Sequence, residues 1–139
     1  MPTLFTRIIE GELPGTFVWK DEHCVAFLSI EPLREGHTLV VPRAEIDHWL
    51  DCPPDLRDHL MSVAAAIGTA LDSEWNPRKV ALLILGLEVP HLHIHLVPVW
   101  DETADLDFSR VRPAERAALD SAAKRILAAL ATAGHDVEF

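Results

Sequence analysis

The segment "EVPHLHIHLVP", residues 88–98, contains three histidines at alternate positions of an otherwise apolar run. Successive side chains of a β-strand point to opposite faces of the sheet, so an extended conformation places all three imidazoles on one face. The histidines are His91, His93 and His95. The side chains that point the other way, into the core, are Leu92, Ile94 and Leu96. The segment therefore predicts a strand with one buried face and one face of histidines.

The histidine face allows three interpretations from the residues alone. The first is structural, with imidazoles that face solvent or are hydrogen-bonded inside the protein. The second is a metal site, since imidazole suits zinc; the outer two histidines of a strand are about 13 Å apart, so His37 or another residue would have to complete it. The third is covalent catalysis, in which a neutral histidine attacks a phosphorus centre while an acceptor holds its second nitrogen and neighbouring imidazoles bind the phosphate.

The composition is that of a single folded domain. The chain has 139 residues, of which 49% are hydrophobic and 24% are charged. Its formal net charge of −10 argues against a protein that coats nucleic acid, because such proteins need a positive field. A small phosphorylated ligand is compatible with this charge, because a few local donors can hold it.

The N-terminal sequence "MPTLFTRIIEGELPG" is interrupted by charges and a proline, so it does not resemble a signal peptide. No apolar run approaches the ~20 residues of a membrane span. Cys24 and Cys52 form no CxxC pair and are expected to be separate thiols in a reducing cytosol. We therefore expect a cytoplasmic protein that has neither a membrane nor a nucleic acid as its partner.

The hydrophobic pattern predicts an α+β protein in which helices pack against an antiparallel sheet. The predicted helices span residues 3–10, 53–75 and 114–133, and the predicted strands span residues 16–21, 24–30, 37–43, 80–85 and 87–100. Pro42 predicts that the third strand ends there or lies at an edge of the sheet. The fourth strand is apolar throughout, which predicts burial on both faces or a subunit contact.

Several motifs precede the histidine segment in a specific order. The stretch "LFTRIIEGELPGTFVWKDEHCVAFLSIEP" comes first, "GHTLVVPR" follows, and the long amphipathic helix separates these from "HLHIHLV". A run of His-x-His-x-His followed by two apolar residues is the mark of the histidine triad (HIT) family. Between Leu4 and Trp100 the chain resembles that family, and in particular its bacterial nucleotide-binding or hydrolase type.

The resemblance implies a HIT-like fold, with a five-stranded antiparallel sheet, a main amphipathic helix and an extra C-terminal helix. Residues 1–110 would form the HIT-like domain, and residues 111–139 would be a helical extension packed on the same domain or on a dimer partner. The family's common state is a homodimer whose two sheets join. No cofactor and no metal ion are expected.

The resemblance also implies a purine nucleotide as the small-molecule substrate. A hydrolase or nucleotidyl transferase would act at the α-phosphate of a phosphoramidate, an aminoacyl-adenylate or a dinucleoside polyphosphate, through a nucleotidyl-histidine intermediate. Two alternatives stay open. One is a nucleotide-binding module with little turnover, and the other is a metal-dependent hydrolase that uses the histidine cluster.

Four histidines match catalytic positions of the family. His93 matches the nucleophile, and His95 matches a histidine that contacts the phosphate. His91 matches the first residue of the triad, whose backbone carbonyl orients the nucleophilic ring. His37, in "GHTLVVP", matches a fourth histidine that lies against the triad, and both a packing role and a direct chemical role are open to it.

The expected nucleotide contacts include departures from the family. Ile30 matches an apolar contact to the base. Ser29 stands in "FLSI", where relatives usually have an aspartate that holds the ribose hydroxyls; a serine can hydrogen-bond a hydroxyl but is not a charged bidentate acceptor.

Thr6 stands in "FTRI", where some bacterial relatives have a cysteine that ligates zinc.

The connection before the triad also departs from the family, because its usual Asn-containing loop is missing. Gly86, Leu87, Glu88 and Val89 take its place, so backbone N–H groups would have to serve the phosphate. The carboxylate of Glu88 would be unfavourable beside a phosphate unless it is protonated or turned away.

Overall fold

The computed structural model of the protein describes residues 2–139. One five-stranded antiparallel sheet has the strand order β1-β2-β3-β5-β4. The strands are β1 (Phe17–Lys20), β2 (Cys24–Leu28), β3 (Thr38–Pro42), β4 (Lys79–Leu83) and β5 (Ile94–Val99). The helices are α1 (Leu4–Ile9), α2 (Pro54–Trp75), α3 (Glu102–Asp105) and α4 (Arg116–Thr132). The predicted α+β fold is therefore confirmed.

The two long helices cover one face of the sheet. Helix α2 begins with Pro54 in its first turn, where the missing N–H costs nothing, and is followed by Asn76 in the left-handed conformation at φ 47°. Its buried side chains and those of α4 meet β1, β3 and β5 in the main core. Leu92, Ile94 and Leu96 lie in this core, which confirms the buried face predicted for the histidine segment.

A second, smaller core lies on the opposite face of the sheet. It contains buried side chains from α1, β2 and β3: Phe5, Val25, Phe27, Leu39 and Val41. Strand β2 is buried along its whole length because apolar layers cover both of its faces. This second face is the one that carries the histidines, since the Phe5 ring packs edge-on against both His91 and His93.

Of the two options predicted for the fourth strand, burial on both faces is wrong within this chain, and a subunit contact stays a prediction. Strand β4 is partly exposed throughout, and Leu82 is 42% exposed. The physical reason is topological: β5 pairs with both β3 and β4, so β4 is left at the end of the sheet. The local sequence shows apolar character but not the order of the strands.

Other predicted boundaries shift by a few residues. Strand β3 ends at Pro42, as one of the two options foresaw, but it lies inside the sheet and not at its edge. Strand β5 starts only at Ile94, and irregular backbone connects it to β4. The loop predicted after Trp100 contains α3 and a 3-10 turn at Phe108–Arg110. Within residues 2–139, no helix combines the length and apolar character that crossing a membrane requires.

Candidate active site

A cavity of about 570 Å³ opens on the histidine face of the sheet. Eight of the ten predicted site residues line it: Ser29, His37, Gly86, Leu87, Glu88, Val89, His93 and His95. The other two do not: His91 is fully buried, and the Ile30 side chain is 67% exposed. The fold therefore gathers residues from the β2–β3 connection, from the β4–β5 connection and from β5 itself.

The ring of His93 is held in one tautomer. Its Nδ1 lies 2.7 Å from the carbonyl oxygen of His91, and because a carbonyl can only accept, Nδ1 carries the hydrogen. The other nitrogen, Nε2, therefore keeps a free lone pair. Burial lowers the pKa of His93, and this outweighs the hydrogen bond to His91, which raises it. His93 thus presents a neutral, unprotonated nitrogen, which is the form that a nucleophile needs.

His37 and His95 form a relay that fixes a second tautomer. The Leu33 N–H donates to Nδ1 of His37 at 3.0 Å, so the hydrogen of His37 is on Nε2. That Nε2–H donates to Nδ1 of His95 at 2.9 Å, which leaves the hydrogen of His95 on its own Nε2. His95 lines the cavity 4.8 Å from His93, ring centre to ring centre. One imidazole therefore offers a lone pair and its neighbour offers an N–H.

Both relay histidines are held neutral. Burial, followed by the neighbouring His95 and His93, lowers the pKa of His37 to about 3. Burial, followed by His93, lowers the pKa of His95 to about 4. At neutral pH the cavity therefore contains no imidazolium. The tautomer of each ring decides which of its nitrogens donates a hydrogen bond and which accepts one.

His91 lies behind the cavity and acts through its backbone. Its Nε2–H donates to the carbonyl of Pro42 at 2.7 Å, and its Nδ1 accepts from the hydroxyl of Thr3 at 2.6 Å. Both ring nitrogens are thus occupied inside the protein. The carbonyl of His91 is the group that accepts from His93, so the fixed position of His91 orients the His93 ring.

The support of His91 includes two residues that the sequence did not indicate, Thr3 and Glu45. The oxygen Oε1 of Glu45 accepts from the backbone N–H of Thr3 at 2.9 Å and from the hydroxyl of Thr6 at 2.7 Å. Thr3 is also the N-cap of α1, accepting from the N–H of Thr6. The unusual threonine in "FTRI" was the available signal, but nothing local connected it to Glu45.

Phe108 is a second lining residue that sequence reasoning missed. It belongs to the 3-10 turn after α3, and its ring lies 5.5 Å from that of His95. Two contacts pin this segment to the body of the protein. The ion pair of Arg34 with the buried Asp105 is 2.9 Å long, and the Ala114 N–H donates to the carbonyl of Ile30 at 2.8 Å. The signal was an aromatic residue in a stretch predicted to be only a loop.

The cavity therefore has two different sides. We call His37, His93 and His95 the histidine wall. We call Leu87 and Phe108 the rim; these side chains are 92% and 39% exposed. Between the two sides, Gly86 adopts φ 79°, a conformation that favours glycine, and a Cβ there would lie 3.7 Å from Cε1 of His93. The backbone thus approaches the His93 ring closely.

The histidine wall does not form a metal site of three ligands. Among residues 2–139, only one group of three His, Cys, Asp or Glu side chains has ligand atoms within 4.8 Å of one another, and it lies elsewhere, at Asp21, Cys24 and His59. Except for Nε2 of His93 and Nε2 of His95, the ring nitrogens of the wall and of His91 are instead bonded to one another, to the backbone or to the Thr3 hydroxyl. The interpretation as a metal-dependent hydrolase therefore lacks a ligand set here.

Comparisons with known proteins identify the family and the fold. Residues 10–102 match the HIT domain. An uncharacterized HIT-like protein of Methanocaldococcus jannaschii is 32% identical over 102 residues, which are 70% of this chain and 79% of that protein. An adenosine 5′-monophosphoramidase of Saccharomyces cerevisiae is 31% identical over 104 residues, 74% of this chain and 66% of the yeast protein.

A solved structure shows the same architecture. The crystal structure of a hypothetical histidine triad nucleotide-binding protein from Sulfolobus tokodaii superposes with a TM-score of 0.80 at 27% identity. The match covers 92% of this chain and 91% of that protein. The shared architecture therefore extends past residue 102, where the HIT domain match ends.

Proposed function

The chain belongs to the HIT domain family, and on that premise we propose that it hydrolyses or transfers the nucleotidyl group of a purine nucleotide through His93. The observation that carries the proposal is the pairing of tautomers on the histidine wall. A free lone pair on Nε2 of His93 lies beside an N–H on Nε2 of His95. A phosphoryl group needs both, one for attack and one for its charged oxygens.

The reaction follows from that pairing in two displacements. Nε2 of His93 attacks the α-phosphorus, a P–N bond forms, and the bond to the leaving group breaks with its electron pair. The leaving group takes a proton from solvent as it departs, and the N–H of His95 donates a hydrogen bond to a phosphate oxygen. Water then attacks the nucleotidyl-histidine and releases a proton to solvent, the P–N bond breaks, and the free nucleotide and neutral His93 are regenerated.

The substrate is proposed from the cavity and from a relative. A cavity of about 570 Å³ has the size of a small-molecule site. Backbone N–H groups of the connection from Gly86 to Val89 would face the phosphate, Ser29 the ribose and Ile30 the base. Since the yeast relative is named an adenosine 5′-monophosphoramidase, an adenosine phosphoramidate is the first substrate to test, before aminoacyl-adenylates and dinucleoside polyphosphates.

We also propose that the protein acts as a cytoplasmic homodimer. The open edge of the sheet at β4, with Leu82 42% exposed, supports pairing with a second copy. Two unpaired thiols, Cys24 and Cys52, suit a reducing compartment. Sedimentation of the purified protein tests the dimer directly.

The decisive experiment is to trap the intermediate. The protein is mixed with adenosine phosphoramidate, denatured within one turnover, digested and analysed by mass spectrometry. We expect an adenylyl group on the peptide that contains His93, and a loss of turnover of at least about a thousandfold in His93→Ala. Equal turnover by the variant, with the fold intact by circular dichroism, would show that His93 is not the nucleophile.

A nucleotide-binding module is the second candidate, and Ser29 favours it. A serine in place of a carboxylate gives a weaker hold on the ribose, and the exposed Leu87 offers the phosphate no side-chain donor. Calorimetry with adenosine monophosphate discriminates between the candidates. Binding without turnover of any of the three substrate classes supports the module.

A further inference from the structure

A second cluster of reactive side chains lies on the sheet face opposite to the cavity. Asp21 lies in the β1–β2 turn, Cys24 is the first residue of β2, and His59 is in the second turn of α2. Oxygen Oδ2 of Asp21 lies 2.7 Å from Nε2 of His59 and 3.6 Å from Sγ of Cys24. One potential ligand atom from each of the three residues lies within 4.8 Å of the other two.

The three donors are those that a zinc-type ion prefers. Thiolate, imidazole and carboxylate all ligate Zn²⁺, at about 2.0–2.3 Å, in tetrahedral sites. Ligand atoms around such an ion are separated by about 3–4 Å, so small side-chain adjustments would admit it. We propose that Asp21, Cys24 and His59 bind one divalent ion of the zinc type.

The site is open to solvent on one side only. The side chains of His59 and Asp21 are 35% and 26% exposed, whereas Cys24 is fully buried. An ion can therefore enter from the side of His59 and be ligated by the buried thiolate of Cys24. The fourth position faces solvent and suits water or His23, whose ring centre is 5.3 Å from that of His59.

The carboxylate is held in place before any ion arrives. Oδ1 of Asp21 accepts from the backbone N–H groups of His23 at 2.7 Å and Cys24 at 2.8 Å, while Trp19 Nε1–H donates to Oδ2 at 2.8 Å. Burial alone would raise the pKa of Asp21, but these hydrogen bonds together hold it well below its usual range. Such surrounding donors orient a ligand and keep it ionised.

Binding an ion exchanges protons for metal bonds. Burial, with the adjacent Asp21 charge, raises the pKa of the Cys24 thiol, so sulfur carries a proton in the free protein. On binding, the S–H proton leaves to solvent and the thiolate ligates the ion. His59 moves its hydrogen from Nε2 to Nδ1 and ligates through Nε2, so no redox partner is involved.

A bound ion would connect two elements of the fold. The ion would tie the β1–β2 turn to α2, elements that are far apart in the chain. An ion that binds only the folded state stabilises it. Because the cavity is on the other face of the sheet, this role is independent of the proposed nucleotide chemistry.

The test uses cobalt as a coloured substitute for zinc. The full-length protein is stripped with chelator and titrated with Co²⁺, and the thiolate-to-cobalt charge-transfer band is followed in the near ultraviolet. Histidines of the cavity supply no thiolate, so the band reports a cysteine site. We expect it to saturate at one Co²⁺ per chain and to be displaced by one equivalent of Zn²⁺.

Three variants test which residues bind. Cys24→Ser should abolish the band, and His59→Ala should weaken Co²⁺ binding at least about tenfold. The matched control is Cys52→Ser, which removes the other buried thiol, one outside the cluster, and should keep the band. His59 is partly exposed, so its variant tests the site even if Cys24→Ser fails to fold.

Thermal unfolding gives a second, independent measurement. Zn²⁺ should raise the Tm of the stripped protein and of Cys52→Ser, but not that of His59→Ala. No charge-transfer band in the stripped protein, or a band unchanged by His59→Ala, would overturn the proposal. Either outcome leaves the chemistry of His93 untouched.

Discussion

The histidine wall and the rim of the cavity are held in different ways. On the wall, two of the six ring nitrogens of His37, His93 and His95 bond to each other, and two more are fixed by the backbone at Leu33 and His91. That leaves Nε2 of His93 and the N–H on Nε2 of His95 for a substrate. On the rim, Leu87 is 92% exposed and Phe108 is 39% exposed. The fold thus fixes the nitrogens proposed to react more tightly than the side chains proposed to contact the substrate.

Two ring nitrogens of the wall bond to each other. They are Nε2 of His37 and Nδ1 of His95. Two more, Nδ1 of His37 and Nδ1 of His93, bond to the backbone, and two are free. Substitutions on the wall should therefore change kcat, whereas substitutions on the rim should change KM.

The largest expected effect in this comparison comes from His95→Ala. This change removes the N–H that is proposed to serve the phosphate, so kcat should fall by about 10²–10³ while KM changes little. Steady-state kinetics with adenosine phosphoramidate measure both constants. His95→Gln, which returns an N–H donor, should recover part of the loss. A His95→Ala variant within tenfold of the parent protein would contradict the role given to this ring.

A smaller effect on kcat is expected for Thr3, which contacts the wall only through His91. Thr3→Val removes the hydroxyl that donates to Nδ1 of the fully buried His91. The unsatisfied nitrogen should cost about 1–3 kcal/mol of unfolding free energy. Looser positioning of His93 should lower kcat about 10–100-fold, as losses of supporting hydrogen bonds do at metal ligands.

Thr3→Ser is the matched control, because it keeps the hydroxyl and the N-cap of α1. It should restore kcat and most of the stability lost in Thr3→Val. Urea unfolding and steady-state kinetics separate the two effects. Normal kcat in a destabilised Thr3→Val would limit Thr3 to a purely structural role.

The pH dependence tests whether the wall is neutral. Burial lowers the pKa of His93 below its ordinary 6.5, and the pKa of His95 is lowered to about 4. Activity should therefore hold as the pH falls below 6.5. A nucleophile with an ordinary pKa would lose about tenfold in kcat/KM between about pH 7.5 and 5.5, and the loss here should be clearly smaller.

The same shifts predict the sign of the pH effect on stability. Histidines of the unfolded chain have a pKa of about 6.5. In the folded protein the pKa is lowered to about 4 for His95 and to about 3 for His37. Their contribution to stability is complete above pH 6.5 and is lost as the pH falls through that window. Urea unfolding at a series of pH values measures it, and rising stability toward pH 5 would contradict neutral burial.

The sequence could predict the wall because its pattern is local. Alternation within a single segment was sufficient to assign Leu92 and Ile94 to the core and His93 to the opposite face. The exposure of β4 could not be predicted, since it depends on β5 pairing between β3 and β4. The contact of Thr3 with His91 joins residues 88 positions apart, and no local pattern encodes such a pair.

The smallest expected effect lies on the rim, at Phe108. Its ring stands 5.5 Å from that of His95 and is 39% exposed, so it bounds the cavity without bonding to the wall. Loss of such an aromatic contact costs about 0.5–1.5 kcal/mol, or about 2–12-fold in affinity. Phe108→Ala should raise KM for adenosine phosphoramidate within that range and leave kcat unchanged. Phe108→Leu, which keeps an apolar side chain, is the matched control, and its KM should lie between those of the parent protein and of Phe108→Ala. A fall in kcat with constant KM would mean that the rim also positions the wall, and the division between the two sides of the cavity would fail.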